Sequence, residues 1–217
     1  MARVKLGCLI SGRGSNLQAL IDACATPDFP AEIGLVLSNK PGVQGLERAE
    51  KAGIPTQVIR HPDFPDRAAF DAALDAALRA AGVEIVCLAG FMRLLTPEFV
   101  TGWGDNILNI HPSLLPAFKG LDTHQRALES GARFAGCTVH IVRPAMDEGP
   151  ILVQAAVPIL DGDTEDSLAA RILTAEHRAY PEAVRLLAES RVRVEGLRCH
   201  IDAPADPVPH FNPSLSR

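Results

Sequence analysis

What this chain of 217 residues lacks removes several classes of protein at once. No apolar run reaches the roughly 18 residues that a membrane-spanning helix needs. The opening "MARVKLGCLISGRGSN" runs straight into a strand-like segment, with no long apolar stretch and no small-residue cleavage site. A protein neither secreted nor membrane-inserted, working in the cytoplasm, is therefore expected. Paired cysteines are missing as well. Cys8, Cys24, Cys87, Cys137 and Cys199 make an odd number with no close spacing, which argues against a disulfide framework and against a zinc knuckle. They read as reduced core thiols, and no metal is expected. A basic stripe is also absent. The 21 Lys and Arg are scattered among 26 Asp and Glu, for a formal net charge of -5, so small molecules rather than nucleic acid are the expected partners.

What remains is an ordinary globular composition, 47% hydrophobic and 22% charged. Short apolar runs alternate with longer amphipathic ones. "VKLGCLI" (4–10), "EIGLVLS" (32–38), "TQVIRH" (56–61), "VEIVCLAG" (83–90), "ILNIH" (107–111) and "CTVHIV" (137–142) have strand length. Between them lie "NLQALIDACA", "GLERAEKAG", "DRAAFDAALDAALRAAG", "MRLLTPEFVTGWG" and "DTHQRALESG", several with helical spacing and a closing glycine. In the third of these, Phe70, Leu74, Ala77, Leu78 and Ala81 share one face, and Gly82 stands at the left-handed cap. The pattern predicts an α/β fold: a three-layer, mostly parallel twisted sheet with helices on both faces. After residue 143 it changes. "ILVQAAVPIL" (151–160) follows a loop, "RPAMDEGP", too short for a helical crossover, so one antiparallel pairing is expected near the C-terminal end. Residues 164–190 then read as helix, with Pro181 marking a kink or a break. The last residues, "LRCHIDAPADPVPHFNPSLSR", read as a short edge strand and a surface tail.

Three places carry chemistry. "SGRGSN" (11–16) lies at the first strand-to-helix turn, where glycines permit close backbone approach and the helix end offers free N–H groups to an anion. A plain connecting turn explains such a loop equally well. It is no dinucleotide fingerprint, because Leu17 takes the third glycine position and "LSNK" supplies no acid for a ribose. No Gly-Lys-Ser/Thr follows, so the anion in view is a phosphomonoester. In "NILNIHPSLLP" (106–116), Asn109 and His111 share one face of an extended strand while Leu108 and Ile110 take the other. Pro112 ends the strand there, at the edge where open α/β sheets bind ligands. The third place is Asp147 in "RPAMDEGP". In a parallel topology it projects from the same edge as His111, either to orient the imidazole or simply to bond its own turn. Together Asn109, His111 and Asp147 would supply an amide donor, a proton-transfer group and its orienting acid. With no Ser or Cys elbow and no metal spacing, the chemistry suggested is direct acyl-type transfer.

The segments "LISGRGSN", "LVLSNK", "LERAEKAGIP", "CLAGFMRLL", "LNIHPSLLPAFKG", "HIVRPAMDEGPIL" and "LAARILTAEHRAYP" occur in this order. Over roughly residues 3 to 190 the chain resembles the phosphoribosylglycinamide formyltransferases, folate-dependent enzymes of purine synthesis. The resemblance implies a single formyltransferase domain over 1–195, with a phosphate-binding Rossmann-like half (1–100), a catalytic and folate half (101–195) and a tail (196–217). It implies 10-formyltetrahydrofolate as co-substrate and a monomer or homodimer. Gly14, Ser15, Asn16 and Glu176 would meet the glycinamide ribonucleotide. Arg67, Met92, Arg93, Leu94, Leu95, Asn109 and Val142 would meet the folate, and Asn109, His111 and Asp147 would carry the transfer. Two positions depart from the usual pattern: Lys119 stands where a proline is common and Asp122 where a histidine is common. Alternatives are a formyltetrahydrofolate hydrolase, whose family carries a preceding regulatory domain, and a methionyl-tRNA formyltransferase, which adds a basic tRNA domain. A non-catalytic folate- or nucleotide-binding regulator on the same fold is a third.

Overall fold

A computed structural model describes residues 2–204, 208 and 210–213. The elements in chain order are β1 (Val4–Ile10), α1 (Ser15–Cys24), β2 (Ala31–Ser38), α2 (Gln44–Lys51), β3 (Thr56–Val58), α3 (Arg67–Ala80), β4 (Ile85–Leu88) and α4 (Pro97–Trp103). After them come β5 (Ile107–His111), α5 (Thr123–Glu129), β6 (Phe134–Ile141), β7 (Ile151–Pro158), α6 (Glu165–Ala188), β8 (Val192–Glu195) and β9 (Arg198–Ile201). β1 to β7 form one sheet in the order β3-β2-β1-β4-β5-β6-β7.

Alternation along the strands builds two cores. On β1, Leu6, Cys8 and Ile10 join Leu17 and Leu20 of α1 and Ile172 and Tyr180 of α6, while Leu9 points through the sheet to Leu74 and Leu78 of α3. Each such fully buried side chain contributes about 1.5–3 kcal/mol relative to exposure. Gly7 has no side chain for a reason: a Cβ there would stand 2.3 Å from Leu78 Cδ2. Helix ends follow local chemistry. Asp66 accepts from the Ala69 N–H at 2.8 Å, Gly82 takes φ 69, and Thr164 and Ser167 close a capping box on α6. The five cysteines are free, and burial pushes the Cys24 and Cys137 thiols up to about 12. No helix among the described residues is long and apolar enough to cross a membrane.

The expected fold class holds, with three differences in detail. Both β5–β6 and β6–β7 are antiparallel, where the short loop before β7 announced only the second. α5 (Thr123–Glu129), between β5 and β6, has the same seven residues as α4, which returns β5 parallel to β4, so helix length does not set the direction of β6. Of the kink or break expected at Pro181, the break does not occur: α6 runs through it, with Tyr180, Ala183 and Val184 buried against the sheet on both sides of the ring. The Tyr180 hydroxyl, within 3.0 Å of Leu88 O and 3.1 Å of Leu108 O, ties that stretch to β4 and β5. The strand expected in the tail is β9, and it pairs with β8 in a separate hairpin instead of edging the main sheet. Part of the tail lies outside the described residues.

The chain leaves β1 for β2 on one side and returns from β3 through α3 to β4 on the other. The carboxyl ends of β1 and β4 therefore flank the switch point, where ligands of such sheets bind.

Candidate active site

β5 places Ile107 in the α3–α4 core and, on the same face, Asn109 and His111 beyond it. Opposite them on β6 stand His140, paired with Asn109, and Thr138, paired with His111. His140 Nδ1 lies 3.1 Å from the Ile141 carbonyl, so that nitrogen carries the hydrogen. Nε2 is then an acceptor, and the Asn109 amide donates to it at 3.2 Å. Burial holds His140 below the usual histidine value, opposed by its bond to Ile141 and by Asp147, and this keeps Nε2 an acceptor at neutral pH. Sequence reasoning missed His140; its signal was a histidine inside the apolar "CTVHIV", legible only once the register sets it against Asn109.

His111 is 6% exposed, with Nε2 2.9 Å from the Phe118 carbonyl and Nδ1 3.5 Å from Asp147 Oδ2. Both neighbours are acceptors, so the ring can donate to both only when it carries two hydrogens. Asp147 reaches this spot by a route other than the expected one. Because β6 is antiparallel to β5, its end at Ile141 lies beside Leu108, away from the edge that holds His111. The loop after β6 folds back along the sheet face. Gly149 allows this close packing, since a Cβ there would sit 1.6 Å from Ile141 O. Asp147 itself has φ 56 and accepts from the Gly120 N–H at 2.9 Å, with Oδ1 3.8 Å from His140 Nε2. One carboxylate thus spans both imidazoles. Lys119, 2.7 Å from Glu148, fastens the Phe118 loop to the Asp147 loop, so the departure from proline has a structural use.

The turn after β1 is built from backbone. Gly14 takes φ 70, and a Cβ there would lie 2.7 Å from Gly45 Cα. Gly45 N–H in turn donates to Gly12 O at 3.1 Å. Ser15 and Asn16 open α1, leaving its first N–H groups without intrahelical partners. The Asn16 side chain does not face that opening. It is buried and donates to Glu176 Oε2 at 2.7 Å, while its Oδ1 is buried without a partner. Burial pushes the Glu176 carboxyl above the usual carboxylate range, against the pull of that amide. A cavity of about 310 Å³ opens beside the turn, lined by Ser15, Gln18, Ala19, Asp22, Arg48 and His177.

A family model described as formyl transferase matches residues 4–184. The phosphoribosylglycinamide formyltransferase of Escherichia coli strain K12 is 46% identical over 186 residues, 86% of this chain and 88% of that protein. The chain belongs to the phosphoribosylglycinamide formyltransferase family. The trifunctional purine biosynthetic protein adenosine-3 of Gallus gallus is 53% identical over 192 residues, 88% of this chain, which spans about a fifth of that longer relative (19%). The crystal structure of glycinamide ribonucleotide transformylase 1 from Symbiobacterium toebii superposes with a TM-score of 0.90 at 51% identity, covering 92% of this chain and 94% of that one.

The remaining residues that the family pattern singles out lie on the loop after β4, at the start of α3 and just past β6. Met92, Arg93 and Leu94 are exposed on the loop between β4 and α4, which begins only at Pro97 behind its Thr96 cap. Leu95 and Val142 pack partly buried against the α3–α4 core, and Arg67 is exposed at the start of α3. Near it Asp71, 2% exposed, accepts from the Thr96 N–H at 2.6 Å and fixes the far end of that loop. Among the described residues, no group of three His, Cys, Asp or Glu is placed to hold a metal ion. Leu197, Arg198, Cys199 and His200 of the β8–β9 hairpin wall a cavity of about 970 Å³ that Asp147 also lines.

Proposed function

We propose that this chain, through residues 1–195, transfers the formyl group of 10-formyltetrahydrofolate to the amine of N1-(5-phosphoribosyl)glycinamide, a step of purine biosynthesis in the cytoplasm. The observation that carries this is the meeting of Asn109, His111 and Asp147 on one sheet face in a chain of this family. The phosphate sits on the N–H groups of Ser15 and Asn16 beside Gly14, with Glu176 toward the ribose. The folate lies along Met92, Arg93, Leu94, Leu95 and Val142, with Arg67 at its carboxylate end. The neutral amine attacks the formyl carbon and forms the new N–C bond. The carbonyl pair moves to oxygen, giving a tetrahedral species. Asn109 has one amide N–H engaged by His140, which leaves the other for that oxygen. His111 supplies the second donor when the oxygen takes over the position that Phe118 O occupies; Phe118, at φ 52, is a strained point at which the loop gives. The N10–C bond then breaks with the electron pair returning to nitrogen, and the proton lost by the amine reaches N10 through Asp147, directly or by way of water.

Incubation with 10-formyltetrahydrofolate, with and without the ribonucleotide, tests the reading by release of tetrahydrofolate. Release only with the ribonucleotide supports transfer. Equal release without it indicates a hydrolase, and none in either case a binding protein.

A further inference from the structure

We propose that Ser11 is a positioning residue that couples the phosphate turn to the folate loop, so that each substrate tightens the binding of the other; this rests on the formyltransferase reading. Ser11 is the residue just past β1, 6% exposed, and two of its bonds reach across the switch point of the sheet to the segment after β4. Its N–H donates to Gly90 O at 3.1 Å. Its hydroxyl accepts from the Met92 N–H at 2.8 Å and donates to Asn39 Oδ1 at 2.7 Å. Two bonds thus hold the Gly90–Met92 segment, whose other end is fixed by Asp71 on the Thr96 N–H.

The same residue leads directly into Gly12, whose carbonyl holds Gly45, and into Gly14, wedged against Gly45 Cα. The turn has no slack on that side: a shift of its backbone toward a bound phosphate is transmitted through Gly12 to Ser11. The Ser11 hydroxyl has one hydrogen, and Asn39, 3% exposed behind β2, takes it. That leaves a lone pair for the Met92 N–H. Asn39 therefore aims the hydroxyl, and the hydroxyl aims the loop. Met92 and Leu94 are 68% and 59% exposed, so few side-chain contacts of their own keep that loop in place. A loop held by main-chain bonds to one serine is a segment whose ordering two ligands can share, which is the condition for positive coupling without a large structural change.

The experiment is calorimetric titration of the full chain with tetrahydrofolate, with and without saturating glycinamide ribonucleotide, for wild type, Ser11→Ala and Asn39→Ala. Thermal melting establishes that each variant is folded. The wild-type ratio of the two Kd values is expected to be about fivefold or more, the lower end of ordinary coupling. Ser11→Ala brings the ratio to within about twofold of one. Asn39→Ala, which keeps the serine but frees its hydroxyl, lowers the ratio part of the way, and it reads the same inference if the serine variant fails to fold. In turnover, the KM for folate rises roughly tenfold in Ser11→Ala while kcat changes little, a split that a general loss of structure does not produce. A wild-type ratio of one, or an unchanged ratio in folded variants, overturns the coupling while leaving the formyltransferase reading intact. Failure of the wild type to bind either ligand overturns that reading and the coupling with it.

Discussion

The Gly12–Asn16 turn and the β5–β6 cluster stand at the carboxyl ends of two parallel strands, β1 and β5, and are built of different materials. The turn offers backbone N–H groups at a helix end, and its identity lies in what Gly14 lacks: a Cβ that would strike Gly45. The cluster offers side chains, Asn109 and His111 from one strand, His140 from the next and Asp147 from a loop. Chemistry at the turn should resist changes of side chain and fail when bulk is added. Chemistry at the cluster should fail when a functional group is removed, even where the fold is untouched.

The largest expected effect tests the second half of that contrast. Asn109→Ala or His111→Ala should lower kcat on the order of 10²- to 10³-fold, as removal of one preorganised donor does elsewhere, while folate binding persists. Steady-state kinetics beside a folate titration decides it, and near-normal turnover in either variant sinks the assignment. Next comes Gly14→Ala. A residue with a Cβ at φ 70, pressed on Gly45, should cost about 1–3 kcal/mol of stability and raise the ribonucleotide KM several-fold, with kcat much less affected. Unchanged KM would remove the turn from the phosphate site.

Glu176 sharpens the comparison because it joins the two kinds of material, a buried carboxyl gripping the first turn of α1 through Asn16. Burial raises its folded pKa, so its stability contribution is complete below the ordinary carboxylate pKa and declines as pH rises through the raised value. Glu176→Gln should therefore melt higher than wild type at pH 8, by about 1 kcal/mol, with the gap closing toward pH 4, and should bind the ribonucleotide less well. A gap independent of pH contradicts this. The smallest effect is expected outside both regions. Arg171 holds the Asp163 carboxyl well below the usual range through paired bonds of 2.7 and 2.8 Å. That lowered pKa gives stability present above the ordinary carboxylate pKa and lost as pH falls through the folded value. Asp163→Asn should cost about 1 kcal/mol at pH 7, less in strong acid, with turnover unchanged, as melting curves at the two pH values would show.

Strands and helices were legible wherever periodicity, caps and glycines agreed. β1 and β5 fall on the residues their apolar runs marked, and α3 ends where Gly82 said it should. Asn109 and His111 were legible as a pair because a strand alternates faces regardless of its neighbours. Two things were not legible: the partner strand of β5, and His140 with it. The helix before β6 is as long as the one that returns β5 parallel, so nothing local marks β6 as antiparallel, and only the register sets His140 against Asn109. Asp147 was singled out on an argument from parallel strands that the structure overturns; the loop arrives from the other end, folded back where Gly149 lies on Ile141.

By itself, then, the sequence determined the layered α/β architecture, the glycine turn and the polar pair on β5, because local sterics and a period-two or helical repeat act over a few residues. Tertiary structure decided which groups touch: His140 on Asn109, Asp147 between two imidazoles, Asn16 turned to Glu176, and Ser11 spanning two loops. Most of these contacts join segments far apart in the chain, and strand order and register, which no local pattern encodes, bring them together.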